Sequence, residues 1–220
     1  MKKLRMFDRI LTRLKIKCAH RFRLKEGYEG DDNITIISSN CVAGTIYHDL
    51  NMQFRSPTIN CIIYANDYLK FCKNLAHYMN YRLEYAGEVA TDGGAYPVAK
   101  LDDIYIHAVH YKTYDVFSSD WYKRATRVNY KKIYLIWCDR DGYEECMIDV
   151  YAKLPYNKVI FLHKPVSLSK YPFAIQIPEC EEENQVPTLT DYVDFHGTRY
   201  YEMNFDVLCW LKTGIVKRKK

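Results

Sequence analysis

The chain has 220 residues and a net charge of +5, and 48% of its residues are hydrophobic. This size and composition fit one folded domain and exclude a disordered chain. No apolar run reaches the ~20 residues of a spanning helix, and the first residues lack the apolar core and cleavage site of a secretory signal, so we expect a cytoplasmic protein.

The positive charge is concentrated at the two ends of the chain. Residues 1–25 contain ten Lys and Arg against one acidic residue, and residues 217–220 add four positive charges, which leaves a net charge of −8 for residues 26–216. Apolar residues recur every three or four positions from Leu4 to Cys18, which predicts a basic amphipathic helix over 1–25. Such a helix either docks on the domain or contacts an anionic membrane at its inner face. Binding to nucleic acid is not expected, because the acidic body repels phosphates.

Predicted strands and helices alternate along the body of the chain. Buried strands are predicted at 34–38, 59–65, 104–111, 132–138, 158–163 and 173–177. Helices are predicted from the turn at 39–44 to Leu50, from an N-cap at Asn66 to Met79, and over 113–127, 144–154 and 204–211. Residues 86–96, which are rich in glycine, and 178–190, which are acidic, are predicted loops.

This alternation is typical of an α/β fold. We expect one three-layer α/β/α domain over 33–211, with a mainly parallel or mixed central sheet covered by helices. A basic tail follows at 212–220. The oligomeric state stays open.

One of the eight cysteines follows the first predicted strand. No Cys-x-x-Cys pair and no zinc-finger spacing occurs, so we expect reduced thiols, no metal and no cofactor. Cys41 lies at the carboxyl end of a strand, where ligands bind in α/β sheets. Because a helix start stabilises a thiolate, Cys41 is a candidate nucleophile. The alternative is a small buried residue that lets the helix pack closely.

Two histidines lie on the predicted strand at 104–111. His107 and His110 are an odd number of residues apart, so they point to opposite faces and are not expected to form one metal site. His110 is nearer the end of the strand and is the better candidate for a base. The alternative is a histidine hydrogen-bonded inside the fold.

An aromatic residue and two cations share the next predicted helix. Arg124 and Arg127 stand three residues apart and can grip a phosphate or carboxylate. Trp121, one turn earlier, can stack on a sugar ring. The alternative is a helix end at which cations are favoured by the helix dipole.

These sequence blocks together resemble a known bacterial family. The blocks are Ile36-Ile37-Ser38-Ser39-Asn40-Cys41 with Gly44, Ser56-Pro57-Thr58, His110-Tyr111, Trp121 with Arg124 and Arg127, and Gly197-Thr198-Arg199-Tyr200-Tyr201. Their order from Asn33 to Leu211 resembles that of proteins named for exopolysaccharide biosynthesis, which occur with capsule and exopolysaccharide genes. The chain departs from the pattern at Val42-Ala43, where the family often has an aromatic residue and a glycine. This departure weakens the prediction of a tight backbone site there.

The resemblance implies a role in surface-polysaccharide assembly more than a particular reaction, so a transferase and an accessory protein both stay open. It implies a phosphorylated or lipid-linked saccharide as the ligand. The implied ligand-binding residues are Ser39, Asn40, Gly44, Tyr111, Trp121, Arg124 and Arg127, near the catalytic candidates Cys41 and His110.

Two rival hypotheses remain. The order Cys41, His110 and then Asp120 or Asn129 also resembles, more distantly, papain-like cysteine peptidases. That resemblance implies a hydrolase or acyl transferase with Cys41 as nucleophile and His110 as base. The second rival is a non-catalytic scaffold that holds glycan enzymes at the membrane through its basic ends. A metal-dependent glycosyltransferase is disfavoured. Its Asp-x-Asp metal motif has a counterpart only in the spacing of Asp139-Arg140-Asp141, and a single occurrence of this spacing is expected by chance.

Overall fold

The computed structural model describes residues 20–21, 24–177, 180–194 and 196–219. The named strands in these residues are β1 (Thr35–Ser38), β2 (Leu83–Thr91), β3 (Gly94–Leu101), β4 (Ile104–His107), β5 (Ile133–Cys138), β6 (Asn157–Leu162) and β7 (Ala174–Gln176). The named helices are α1 (Val42–Asp49), α2 (Ala65–Lys73), α3 (Leu75–Asn80), α4 (Tyr114–Ala125), α5 (Met147–Ala152) and α6 (Val207–Thr213), with a 3₁₀ turn at Tyr200–Glu202.

Four parallel strands form the main sheet, in the order β1-β5-β6-β7. Thr35 of β1 lies opposite Ile133 of β5, and Tyr134 of β5 lies opposite Asn157 of β6. β1 and β5 are buried along their whole length, as expected for parallel strands that are covered on both faces. The predicted parallel sheet is confirmed.

Successive residues of each strand enter two different hydrophobic cores. Ile36 and Ile136 pack with helices α1 and α6 on one face of the sheet. Ile37 and Leu135 pack with helices α2, α4 and α5 on the other face. Because helices cover both faces, the predicted three-layer α/β/α arrangement is confirmed.

A second, antiparallel sheet replaces the loop predicted at 86–96. Strands β2, β3 and β4 form a meander in which Thr91 pairs with Gly94 across a two-residue turn. Gly94 has a φ of 130°, which a glycine adopts without strain. The loop prediction is wrong because most residues of this hairpin are exposed, so they lack the apolar alternation of a half-buried strand.

Two other strand predictions also change. β4 ends at His107 instead of residue 111, and it pairs antiparallel to β3 instead of joining the parallel sheet. Within residues 59–65, all of which the structure describes, pairing is limited to a bridge between Ile62 and His107. Helix α2 begins at Ala65, with Tyr64 and not Asn66 at its N-cap.

Most of the predicted N-terminal helix lies outside the described residues. At its described end, His20 and Leu24 are buried against the domain. His20 Nε2 lies 3.1 Å from Asp49 Oδ2, and Arg199 Nε donates to the same oxygen at 3.0 Å. This end of the segment therefore docks on the domain.

The basic tail also contacts the domain. Asp206 N donates to Lys217 O at 3.0 Å, and Arg218 Nη2 donates to Ala174 O of β7 at 2.8 Å. Across the residues that the structure describes, no helix is long and apolar enough to cross a membrane.

Candidate functional site

A cavity of about 430 Å³ opens at the carboxyl edge of the main sheet, and we call it the Cys41 cavity. Asn40 and Cys41 reach it from the turn after β1, and Arg140 and Asp141 reach it from the turn after the neighbouring strand β5. His110 reaches it from the segment after β4. The structure thus brings Cys41 and His110 to one cavity, although their strands belong to different sheets.

A short backbone segment joins the two sheets at this cavity. Ile63 N donates to Ser39 O at 2.9 Å, and Ile62 N donates to His107 O at 2.8 Å. The end of β4 is therefore held beside the end of β1. Ser39 is only 2% exposed, so in this structure it contributes its backbone carbonyl, which accepts the hydrogen bond from Ile63 N.

Side chains already cap the start of helix α1. Val42 N donates to Asn40 Oδ1 at 3.1 Å, and Ala43 N donates to Ser38 Oγ at 3.1 Å. Asn40 Nδ2 lies 3.3 Å from Cys138 Sγ. These two amides are therefore not free to bind a ligand anion, which is the usual chemistry of a helix start.

Cys41 is held in its thiol form. Burial, and then the negative charge of Asp141, raise the pKa of Cys41 to about 11. The sequence predicts a thiolate stabilised by the helix start, whereas the surroundings of Cys41 in the structure favour the thiol. Burial and a neighbouring carboxylate outweigh the dipole of an eight-residue helix whose first amides are occupied.

Charges of both signs face the Cys41 cavity. Burial raises the pKa of the Asp141 carboxyl, and Asp141 has a φ of 56°, which is uncommon for a residue other than glycine. Arg140 Nη1 donates to Val186 O at 2.8 Å. This hydrogen bond anchors the segment after Val186, in which Thr188 and Thr190 line the cavity. The cavity therefore offers a guanidinium and hydroxyls beside a poorly solvated carboxylate.

Arg124 and Tyr111 bind each other and do not line the Cys41 cavity. Arg124 Nη1 donates to Tyr111 OH at 2.5 Å, and Arg124 Nη2 donates to Asp120 Oδ2 at 2.6 Å. Arg124 and Tyr111 are both buried. Asp120 is therefore engaged with Arg124, and it is not seen to orient His110.

Trp121 and Arg127 also lie away from this cavity. Trp121 is fully buried and packs against Phe71 and Phe117, so its indole presents no face on which a sugar could stack. Arg127 Nη1 donates to the carbonyl of Phe54 at 3.3 Å. The predicted pair of arginines therefore forms internal contacts in this structure.

The remaining two candidates from the sequence, Gly44 and Asn129, make contacts within the fold. A Cβ at Gly44 would lie 3.2 Å from Ile59, so this glycine lets helix α1 pack closely. Asn129 donates to Asn33 O at 2.6 Å and to Thr35 Oγ1 at 2.8 Å. Thr35 begins β1, so Asn129 lies at the opposite edge of the sheet from Cys41 and cannot orient His110 from there.

Sequence reasoning missed four polar residues of the cavity, Arg140, Asp141, Thr188 and Thr190. In the sequence, Asp139-Arg140-Asp141 has only the spacing of a metal motif, and the acidic composition of 178–190 predicts only a loop. The signal that identifies Arg140 and Asp141 is their position directly after a buried parallel strand. Among the described side chains, no group of three or more His, Cys, Asp or Glu is arranged to hold a metal ion.

Comparison with known proteins gives one family. A family model described as a domain of unknown function, DUF1919, matches residues 8–212. An uncharacterized protein of Haemophilus influenzae (strain ATCC 51907 / DSM 11121 / KW20 / Rd) is 35% identical over 181 residues, which cover 82% of this chain and 84% of the relative.

Proposed function

We propose that this chain, which belongs to the DUF1919 family, binds a phosphorylated saccharide in the Cys41 cavity. The observation that carries the proposal is the presence of Arg140 and Asp141 in the wall of one cavity. A guanidinium binds phosphate oxygens in a fork geometry, whereas a carboxylate accepts hydrogen bonds from hydroxyl groups. A sugar phosphate needs both kinds of partner.

The position of the cavity supports the same proposal. It lies at the carboxyl ends of two neighbouring parallel strands, where α/β proteins bind their ligands. His110 and Thr190 add further polar groups to the wall. A free sugar phosphate and a lipid-linked saccharide both contain a phosphate attached to a sugar, so both are candidate ligands.

The resemblance to exopolysaccharide-biosynthesis proteins supports a cytoplasmic role in the assembly of capsule or exopolysaccharide. In this role the chain presents or acts on a phosphorylated saccharide intermediate. In a strain that lacks the gene, the Arg140→Gln variant should fail to restore surface polysaccharide, whereas the Arg127→Gln variant should restore it. Restoration by Arg140→Gln would count against this role for the cavity.

Calorimetric titration tests the ligand directly. Wild-type protein should bind glucose 1-phosphate or galactose 1-phosphate more tightly than the parent hexose or inorganic phosphate alone. Arg140→Gln should weaken that binding roughly 10- to 100-fold, because it removes a charge-assisted hydrogen bond. Arg127→Gln is the matched control, since Arg127 is also partly buried but lies outside the cavity. Equal affinity in wild type and Arg140→Gln, with a normal thermal unfolding curve, would refute the proposal.

A second candidate function is a cysteine-dependent hydrolase or acyl transferase. The observation in its favour is that Cys41 and His110 line the same cavity. The raised pKa of Cys41 weighs against it, because a nucleophilic cysteine needs an accessible thiolate. An acyl-enzyme adduct on Cys41 after incubation with an activated thioester, lost in His110→Gln, would favour this function over simple binding.

The basic ends support peripheral contact with an anionic membrane, as a scaffold would require. Each Lys or Arg near such a surface contributes about 1 kcal/mol, which salt reduces. The protein should co-sediment with phosphatidylserine-containing vesicles at low salt, and not with pure phosphatidylcholine vesicles. Equal sedimentation with both, or none with either, would remove this proposal.

A further inference from the structure

A second cavity, of about 210 Å³, lies at the same edge of the sheet, and we call it the His163 cavity. Asp139, the residue after β5, and His163, the residue after β6, both line it. Because β5 and β6 are adjacent and parallel, their first following residues meet at one point of the edge. The remaining wall includes Tyr143, Glu145 and Tyr171.

Asp139 fixes the position and the tautomer of His163. Asp139 Oδ2 lies 2.5 Å from His163 Nδ1 and accepts from His163 N at 2.6 Å. Asp139 Oδ1 accepts from Val186 N at 2.9 Å. An ionised carboxylate can only accept hydrogen bonds, so a neutral His163 carries its proton on Nδ1. Its Nε2 then has a free lone pair.

Other Asp–His contacts among the described residues differ from this one in burial. The side chains of His20 and Asp49 are 0% and 1% exposed, so that pair is sealed inside the domain. The side chains of His77 and Asp102 are each 39% exposed, so that pair lies at the surface. Asp49 also contacts His48, whose side chain is 57% exposed. The Asp139 carboxylate is 2% exposed, and the His163 ring is 13% exposed and lines a cavity. A buried carboxylate behind a partly open ring is the arrangement that holds an imidazole for use by a ligand.

We propose that the His163 cavity binds a small, neutral, polyhydroxylated molecule, with His163 Nε2 accepting a hydrogen bond from one ligand hydroxyl. A lone-pair acceptor requires a donor on the ligand, and a hydroxyl supplies one. Glu145 is a second acceptor in the wall, and Lys164 is a donor. Tyr143, which is only partly buried, brings an aromatic ring, which suits the apolar face of a polyol ring. The proposal does not depend on what the Cys41 cavity binds.

Carbethoxylation of histidine tests the position of the free lone pair. Diethyl pyrocarbonate acylates an unprotonated imidazole nitrogen, and peptide mass spectrometry locates the product. At mildly alkaline pH, His163 should react, and glucose or myo-inositol should slow that reaction. Labelling of His77, the matched surface histidine with an aspartate partner, should not respond to either polyol. Protection of His77 and His163 alike, or of neither, would overturn the proposal.

A binding measurement separates a ligand contact from a purely structural pair. Calorimetric affinity for glucose or myo-inositol should fall about tenfold in His163→Gln, as expected for one lost hydrogen bond, and stay unchanged in His77→Gln. Affinity for glucose 1-phosphate at the Cys41 cavity should be unchanged in His163→Gln, which keeps the two sites distinguishable. If His163→Gln does not fold, polyol protection of wild-type His163 decides the matter. Equal polyol affinity in wild type and a folded His163→Gln would refute the proposal.

Discussion

The two cavities take their carboxylates from the same short turn after β5 but hold them in opposite ways. Asp139 is buried in the His163 cavity and accepts hydrogen bonds from His163 and Val186. Asp141, two residues later, faces the Cys41 cavity with a pKa raised by burial. Removing a buried carboxylate that accepts several hydrogen bonds is costly because its donors lose their partner, whereas a poorly solvated charge at a cavity is a usual feature of binding sites. One turn thus supplies a hydrogen-bonded carboxylate to one cavity and a poorly solvated carboxylate to the other.

The largest expected effect is on stability. Asp139→Ala should lower the free energy of unfolding by about 3 kcal/mol, because it leaves buried N–H donors of His163 and Val186 without acceptors. Chemical denaturation monitored by circular dichroism measures this change. Asp141→Asn, from the same turn, is the matched control, because asparagine tolerates the positive φ of this position, and it should not lower the free energy of unfolding. Equal losses in the two variants would contradict the difference between the two carboxylates.

A second expected effect concerns thiol reactivity in the Cys41 cavity. With a pKa of about 11, Cys41 should react with iodoacetamide on the order of a hundredfold more slowly at neutral pH than an ordinary exposed cysteine. The exposed Cys146 should therefore be labelled first. The labelling rate of Cys41 should rise with pH. At constant pH, Asp141→Asn should also raise this rate, because it removes the negative charge that contributes to the raised pKa of Cys41.

Fast labelling of Cys41 at neutral pH would instead favour the cysteine-dependent hydrolase. The Cys146→Ser variant removes the fastest competing site and makes the comparison quantitative. If Asp141→Asn left the labelling rate of Cys41 unchanged, the proposed influence of that carboxylate on the thiol would be wrong.

The smallest expected effect is the pH dependence contributed by Asp141. Because its pKa is higher in the folded chain than in the unfolded chain, folding favours its protonated form. Its contribution to stability is therefore fully present below the ordinary pKa of an aspartate and is lost as the pH rises through the raised value. Asp141→Asn should be more stable than wild type at neutral pH, by roughly 0.5 kcal/mol. This advantage should disappear in acid; an advantage that grew as the pH fell would contradict the sign of the shift.

The sequence was sufficient to predict the four strands of the main sheet but not the second sheet. Strands such as β1 and β5 are runs of β-branched and aromatic residues, and their burial on both faces makes them apolar throughout. The hairpin of β2 and β3 is mostly exposed and contains Gly87, Gly93 and Gly94, so hydrophobic periodicity gave no strand signal there. Backbone pairing, which sequence patterns do not report, defines this sheet.

The candidate site was predictable only in part, because it also depends on contacts between segments that are distant in the sequence. Cys41 could be found because it follows a strand, but the burial that raises its pKa depends on packing from distant segments. The sequence predicts that His163 ends a strand, and its contact with Asp139 spans 24 residues. That contact follows from the pairing of β5 with β6, so it becomes visible only once the order of strands is known.

Resonances of the histidine rings offer the most direct test of which ligand enters which cavity. The chain has seven histidines, and His110 and His163 report on the two cavities separately. In a proton–carbon NMR titration, glucose 1-phosphate is expected to shift the ring signal of His110 at concentrations that leave His163 unmoved. Arg140→Gln should abolish that shift. A titration in which glucose 1-phosphate moves neither ring, or moves His110 equally in Arg140→Gln, would contradict a phosphorylated saccharide in the Cys41 cavity.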